Sequence, residues 1–126
     1  MAIIGLLTAI SAPRASAFLD GIAVQGASSD AFAIFSSARN AAVNGAAQAT
    51  VEIDTLRVTM TARLKTDTIL KRELGRVHDV KLSTSRPSIT FSASGMGYGA
   101  GNLTLVIRRG RAVDSLFVSR LGRVRH

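Results

Sequence analysis

The chain has 126 residues, the length of one ordinary domain, and 47% of them are hydrophobic while 19% are charged. This balance predicts a buried core and excludes a wholly disordered chain. The absence of cysteine excludes disulfides, thiolate catalysis and cysteine-bound metal, and two histidines are too few for a histidine metal site within one chain.

Positive charge is concentrated toward the C-terminus. The chain has 16 Lys and Arg against 8 Asp and Glu, a net charge of +8, and the first 51 residues are neutral overall. The last 19 residues hold six arginines and one aspartate, which is a net charge of +5. Such a field attracts nucleic acid or anionic lipid, and the planar guanidinium group suits phosphate. The alternative is a solvated strand face with no partner.

Residues 2–12 form an uncharged, largely apolar run that Pro13 and Arg14 end. At 1.5 Å per residue a helix of this length spans roughly 16 Å, about half of the ~30 Å hydrocarbon core of a bilayer. The run therefore cannot cross a membrane alone, and the end of a longer membrane segment is one of two equal interpretations. The other is a buried N-terminal helix of a cytosolic domain.

Residues 15–47 are rich in Ala and Ser, contain no proline and predict a helix that ends at Asn44 and Gly45. An apolar stripe along it is predicted to face a sheet or other helices, with the polar side chains pointing outward. Gly21, Gly26 and the serines that follow weaken the helix, so a bend or break is expected at residues 26–30. The predicted stripe is Phe18, Ile22, Phe32, Phe35, Ala38, Ala42 and Val43, and the predicted outward set is Asp20, Asp30, Asn40 and Asn44.

From Ala49 onward the apolar period changes to two, which is typical of half-buried strands. Strands are predicted at residues 51–53 and 56–62, joined by a hairpin at Asp54 and Thr55. Residues 69–75 are polar, and their pattern is ambiguous.

The remainder of the chain continues the strand pattern. Val77, Val80 and Leu82 predict one more strand, and the last predicted strands cover residues 88–92, 103–107 and 113–118, with a turn at 109–111. The sequence therefore predicts an α+β fold, in which a long N-terminal helix (residues 1–47) packs on a mostly antiparallel β-sheet head (residues 48–126) with a basic tail.

The sequence contains no recognisable motif for catalysis or cofactor binding. The glycine-dense residues 95–101 precede a strand pattern, whereas a dinucleotide-binding loop opens a helix, so we predict a flexible hairpin loop. The carboxylates are scattered singly, and His78 and Asp79 would point to opposite faces of a strand. We therefore expect no enzyme activity, no cofactor, no metal and no small-molecule substrate.

Residues 119–126 form the most specific candidate site. If an extended tail begins at Gly122, Arg123 and Arg125 project from one face about 6 to 7 Å apart, a distance comparable with neighbouring phosphates. Arg120 adds a third contact. This arrangement predicts sequence-independent binding to a nucleic-acid backbone, with no aromatic side chain nearby for base stacking. An edge strand protected from aggregation by its charge is the alternative.

Several segments together resemble a known family. AIIGLLTAISAPR at residues 2–14 is similar to the later part of the N-terminal hydrophobic helix of type IV pilins and type II secretion pseudopilins, with Pro13 at the kink of that helix. Further segments resemble the GspH/FimT branch of minor pseudopilins over nearly the full chain. They are SSARNAA at 36–42, ITF at 89–91 followed by Gly95, LTL at 103–105, and residues 118–125.

The resemblance implies a single-pass subunit of the bacterial inner membrane, with its head in the periplasm and its helix in a filament with other pilins. The family's basic leader, prepilin-peptidase site and early Glu are missing, so we expect a misplaced start or a trimmed chain that lacks roughly nine or ten mature residues of a full span. The membrane and assembly helix would include Ile3, Ile4, Leu6, Leu7, Ile10 and Pro13.

Two functions agree with this resemblance. The first is a structural minor pseudopilin of a type II secretion system or type IV pilus, which has no chemistry of its own. The second is a FimT-like minor pilin that binds DNA during uptake, because Gly122-Arg123-Val124-Arg125 matches the Gly-Arg-x-Arg tail of those members. We favour the structural function, since related secretion members often end in similar basic strands.

Overall fold

The computed structural model describes residues 2–97 and 102–126, with side chains from residue 15 onward. These residues form two helices and eight strands, which confirms the predicted α+β class. In chain order they are α1 (Ala2–Gly45), β1 (Ala49–Asp54), β2 (Thr59–Leu64), β3 (Asp67–Glu73), α2 (Leu74–His78), β4 (Lys81–Thr84), β5 (Ser88–Phe91), β6 (Leu103–Arg109), β7 (Ala112–Val118) and β8 (Val124–Arg125).

The strands form two antiparallel sheets, where the sequence predicted one. Sheet A has the strand order β3-β2-β1-β5, and sheet B has the order β4-β6-β7-β8. The chain moves from sheet A to sheet B at β4, returns to sheet A at β5 and enters sheet B again at β6. Alternating apolar residues determine which face of a strand is buried, but they do not determine which other strand pairs with it. The division into two sheets was therefore not predictable from the local sequence.

Helix α1 is continuous through residues 26–30, so the expected break is wrong. A Cβ at Gly26 would lie 2.8 Å from Cε1 of His78, which means that this glycine allows close packing of the helix on the head. Ser28, one of the serines in this segment, is buried, and its Oγ donates to Oδ2 of Asp114 on β7 at 2.6 Å. Packing of the helix therefore overrides the weak local propensity.

The buried face of α1 differs in part from the predicted stripe. Phe35, Ala38 and Ala42 are fully buried as predicted, but the other four members of the stripe are exposed. Most of the observed buried face consists of small residues, which allow the helix backbone to approach the sheets closely. This face is formed by Ala23, Val24, Ala27, Ser28, Ala31, Ile34, Phe35, Ala38 and Ala42.

One core joins the helix to both sheets. The buried residues of α1 belong to a single hydrophobic cluster with the inward side chains of sheet A and sheet B. Its large, fully buried members include Phe35 on α1, Phe91 and Met60 in sheet A, and Leu105 and Leu116 in sheet B. The head thus folds around α1.

Two segments of the head differ from the predicted strands. Leu56 is 95% exposed in the turn between β1 and β2. Oδ1 of Asp54 accepts the N–H groups of Leu56 and Arg57 at 3.0 Å each, so the chain reverses over four residues instead of two. Val77 lies in α2 and not in a strand, whereas the ambiguous residues 69–73 belong to edge strand β3.

Candidate functional site

The C-terminal residues fold back as the edge strand of sheet B. Val124 pairs with Val118, and Arg125 pairs with Phe117, in antiparallel register. This is the edge strand that the sequence left open as an alternative to an extended tail. Because β8 covers part of β7, the charged residues of the tail lie at the border of a folded sheet.

A tight turn at residues 119–123 connects β7 to β8. The N–H of Gly122 donates to the carbonyl of Ser119 at 2.9 Å, and the N–H of Ser119 donates to the carbonyl of Arg123 at 2.8 Å. Gly122 has a φ of +80°, which favours glycine, and a Cβ there would overlap the carbonyl oxygen of Gly95. Gly122 is therefore needed for the turn itself.

Helix α1 and the loop after β5 hold this turn in place. Nε of Arg39 donates to the carbonyl oxygen of Gly95 at 3.0 Å. The N–H of Gly97 donates to the carbonyl oxygen of Arg120 at 2.9 Å. The predicted glycine loop lies partly here, and its residues 98–101 are outside the described residues.

A groove of about 740 Å³ runs between α1 and the C-terminal segment. We call it the C-terminal groove, and its lining includes Phe32 and Arg39 on α1 and Leu121, Arg123 and Arg125 on the other side. No acidic side chain lines it among the described residues. The site is an open cationic groove with three apolar side chains, those of Phe32, Leu121 and Val124, and its charge suits an anion better than a neutral ligand.

The three predicted arginines are all exposed, and the structure brings them together at one end of the head. Arg123 and Arg125 line the C-terminal groove, and Arg120 lies in the adjacent turn. Within the described part of the chain, none of the three lies within 4.0 Å of a carboxylate. Their charge is therefore available to a partner.

The structure corrects the expectation that no aromatic side chain lies near the tail. Phe117 stands directly opposite Arg125 in the register of β7 and β8 and is 40% exposed. The last residue, His126, contacts a second aromatic side chain. Its ring stacks on Phe32 of α1 with a centroid distance of 6.4 Å, and its Nδ1 lies 3.2 Å from Oδ2 of Asp114. Cross-strand pairing carries no signal in the local sequence, so this proximity was not predictable from it.

Sequence reasoning also missed two polar contacts that join α1 to the head, an ion pair and a hydrogen bond. Asp20 and Asp30 were predicted to point outward, but Oδ1 of Asp20 lies 3.0 Å from Nε of Arg109. Oδ2 of Asp30 lies 2.6 Å from Nε2 of His78, which is largely buried. The available signal was the scarcity of charge on the helix, since each charged residue between positions 15 and 45, including Arg39, contacts the head.

The first turns of α1 with described side chains carry large apolar residues on the surface. Phe18 is 69% exposed and Ile22 is 51% exposed, and Leu19 lies exposed between them. We call Phe18, Leu19 and Ile22 the apolar ridge.

In the described part of the chain, no helix has an apolar stretch of the length that a membrane span requires. The predicted membrane residues Ile3, Ile4, Leu6, Leu7, Ile10 and Pro13 have side chains outside the described set.

Comparison with known proteins identifies the fold. No family model and no curated protein matches the chain. The structure is similar to the type IV minor pilin FimU of Pseudomonas aeruginosa PAO1, with a TM-score of 0.70, 17% identity, and coverage of 81% of this chain and 86% of that one. A second crystal form of FimU gives a TM-score of 0.68, 17% identity and coverage of 80% and 90%.

The same fold occurs in a secretion-system subunit. The minor pseudopilin EpsH from the Type 2 Secretion System of Vibrio cholerae matches with a TM-score of 0.64 and 13% identity, over 81% of this chain and 94% of that chain. The chain therefore has a minor-pilin or minor-pseudopilin fold, as the resemblance predicted.

Proposed function

We propose that the chain is a minor subunit of a bacterial type IV pilus or type II secretion filament, with no catalytic role of its own. In this proposal the start of α1 lies in the inner membrane, the head lies in the periplasm, and α1 joins other pilins in the filament. The observation that carries the proposal is the apolar ridge. The buried face of α1, which packs on the head, begins at Ala23. Phe18, Leu19 and Ile22 remain exposed and are available to a neighbouring subunit.

The geometry of such a contact favours a filament over a closed oligomer. The ridge of one subunit would bind a different surface of the next, and head-to-tail contacts of this kind repeat without closing when the rotation between subunits does not complete a ring. A minor subunit of this design would place its head near the filament tip or along the filament surface.

Ile22→Glu is expected to reduce incorporation into filaments by at least about tenfold, because a carboxylate in an apolar subunit contact loses its hydration. The measurement is the ratio of this chain in sheared filaments to that in membranes, in a bacterium that expresses it with its companion pilins. Val43→Glu is the matched control, since Val43 is 48% exposed on the same helix but lies beside the head. Equal incorporation of Ile22→Glu and the unchanged chain contradicts the proposal.

DNA binding by the C-terminal groove is a second candidate function. It is favoured by the exposed guanidinium groups of Arg120, Arg123 and Arg125 and by a groove lining without carboxylates among the described residues. In this function the arginines contact phosphates, and Gly122 shapes the turn that presents them.

For this second function, the Arg123→Ala/Arg125→Ala variant is expected to lower the slope of log K against log salt for duplex DNA by about 2 units. The slope is measured by fluorescence anisotropy over a series of salt concentrations. Arg57→Ala/Arg76→Ala is the control with the same change in net charge, because those side chains are 86% and 82% exposed elsewhere on the head. Unchanged binding in the first variant rules out the tail as the DNA site.

A further inference from the structure

We infer that the face of sheet B turned away from α1 binds single-stranded nucleic acid. We call it the outer face of sheet B. Its position follows from strand register, because residues directly opposite each other in antiparallel strands share a face. Lys81, Arg108 and Val113 form one row across the sheet, and Phe117 and Arg125 belong to a second row.

The opposite face of the sheet is the one that packs on the helix. Ile107 and Leu116 are fully buried there, and Asp114 lies on that face because it accepts the hydroxyl of Ser28 from α1. Side chains alternate between the faces of a strand. Val106, Val113 and Phe117 therefore point away from α1.

The outer face of sheet B carries positive charges that no nearby carboxylate neutralises among the described residues. Lys81, Arg108 and Arg125 are exposed, and none of them lies within 4.0 Å of a carboxylate in the described part of the chain. Asp114 is the sole acidic residue in the four strands of sheet B, and it belongs to the inner face. Charge complementarity therefore requires an anionic occupant.

Apolar surface lies between the cations. Phe117 is 40% exposed and Val113 is 52% exposed, with Val106 half-buried beside them. The rows of Arg125 and Arg108 are four residues apart on β7, which at ~3.3 Å per residue is about 13 Å along the strands. That separation accommodates about two or three unstacked nucleotides, with a base over Phe117 and phosphates near the cations at either end.

The exposed ring favours a single strand over a duplex. In a duplex the base faces are covered by their neighbours, so only the cations would contribute to binding. An exposed aromatic side chain on the face of an antiparallel sheet stacks with unpaired bases, whatever their identity. This surface goes beyond the proposed filament function, and it shares only Arg125 with the C-terminal groove.

The first test compares two DNA probes on the full chain by fluorescence anisotropy. The probes are labelled oligo(dT) of about 12 nucleotides and a duplex of the same length. Phe117→Ala is expected to weaken oligo(dT) binding by about 5- to 100-fold and to change duplex binding by less than about twofold, whereas Phe117→Tyr retains the ring and the affinity. Leu56→Ala is the control, since it removes a more exposed apolar side chain in the turn between β1 and β2.

A second variant keeps the inference testable if Phe117→Ala fails to fold. Arg108→Gln is expected to lower the salt slope of oligo(dT) binding by about 0.7, while Arg111→Gln in the β6–β7 turn leaves the slope unchanged. No oligo(dT) binding by the full chain at about 50 mM salt overturns the inference, as does an equal loss of duplex binding in Phe117→Ala. If Arg108→Gln impairs binding only to phosphatidylglycerol vesicles, the face binds a lipid surface and the inference is wrong.

Discussion

Gly122→Ala is expected to lower the free energy of unfolding by about 3 kcal/mol. The left-handed φ of +80° is costly for any residue with a Cβ, and the added methyl group overlaps the carbonyl oxygen of Gly95. That carbonyl cannot move freely, because Arg39 donates to it and the N–H of Gly95 is bonded to Ser92. The measurement is chemical denaturation followed by far-UV circular dichroism.

A glycine in the same chain provides the opposite control. Gly21 lies in α1, and no atom lies within 4 Å of the position that its Cβ would take. Gly21→Ala is therefore expected to raise the free energy of unfolding by up to about 1 kcal/mol through helix propensity alone. If Gly122→Ala is as stable as the unchanged chain, the turn at residues 119–123 does not have the described conformation.

Phe35→Ala is expected to lower the free energy of unfolding by about 3–5 kcal/mol. Phe35 is fully buried in the core that α1 shares with both sheets, so its removal leaves a cavity in that shared core. Denaturation measured by circular dichroism is expected to remain a single transition at a lower denaturant concentration.

Phe18→Ala is the matched control for this prediction. It removes the same side chain from the same helix at a position that is 69% exposed, so the free energy of unfolding is expected to change by less than about 0.5 kcal/mol. Two separate transitions in Phe35→Ala, one for the helix and one for the sheets, would show that α1 and the head do not share a cooperative core.

The elements that the sequence predicts well are those with a strong local period. In β6 and the second half of β7 the buried residues alternate with half-buried or exposed ones, and Gly110 with its positive φ lies in the turn between the strands. The buried face of α1 was harder to predict, because Ala and Ser are compatible with either side of a helix and the large Phe18 and Phe32 are exposed. Helical periodicity predicts the buried face only where large apolar residues and charged residues lie on opposite sides of the helix.

In the candidate site, too, the local sequence predicts some features and not others. Exposure of Arg120, Arg123 and Arg125 follows from their charge, and the sequence predicts it. The contact of Gly122 with Gly95 joins residues far apart in the chain, so the reason for that glycine appears only in the folded protein. The same holds for Phe117 beside Arg125, which depends on the register of β8.

The placement of α1 against both sheets has a mechanical consequence. The helix packs on β1, β2, β3 and β5 of sheet A and on β6, β7 and β8 of sheet B. Tension on its N-terminal end is therefore divided between two sheets and acts as shear along the whole contact. Many small contacts must break together before the helix slides, so a load that would peel a single strand pair leaves this head attached.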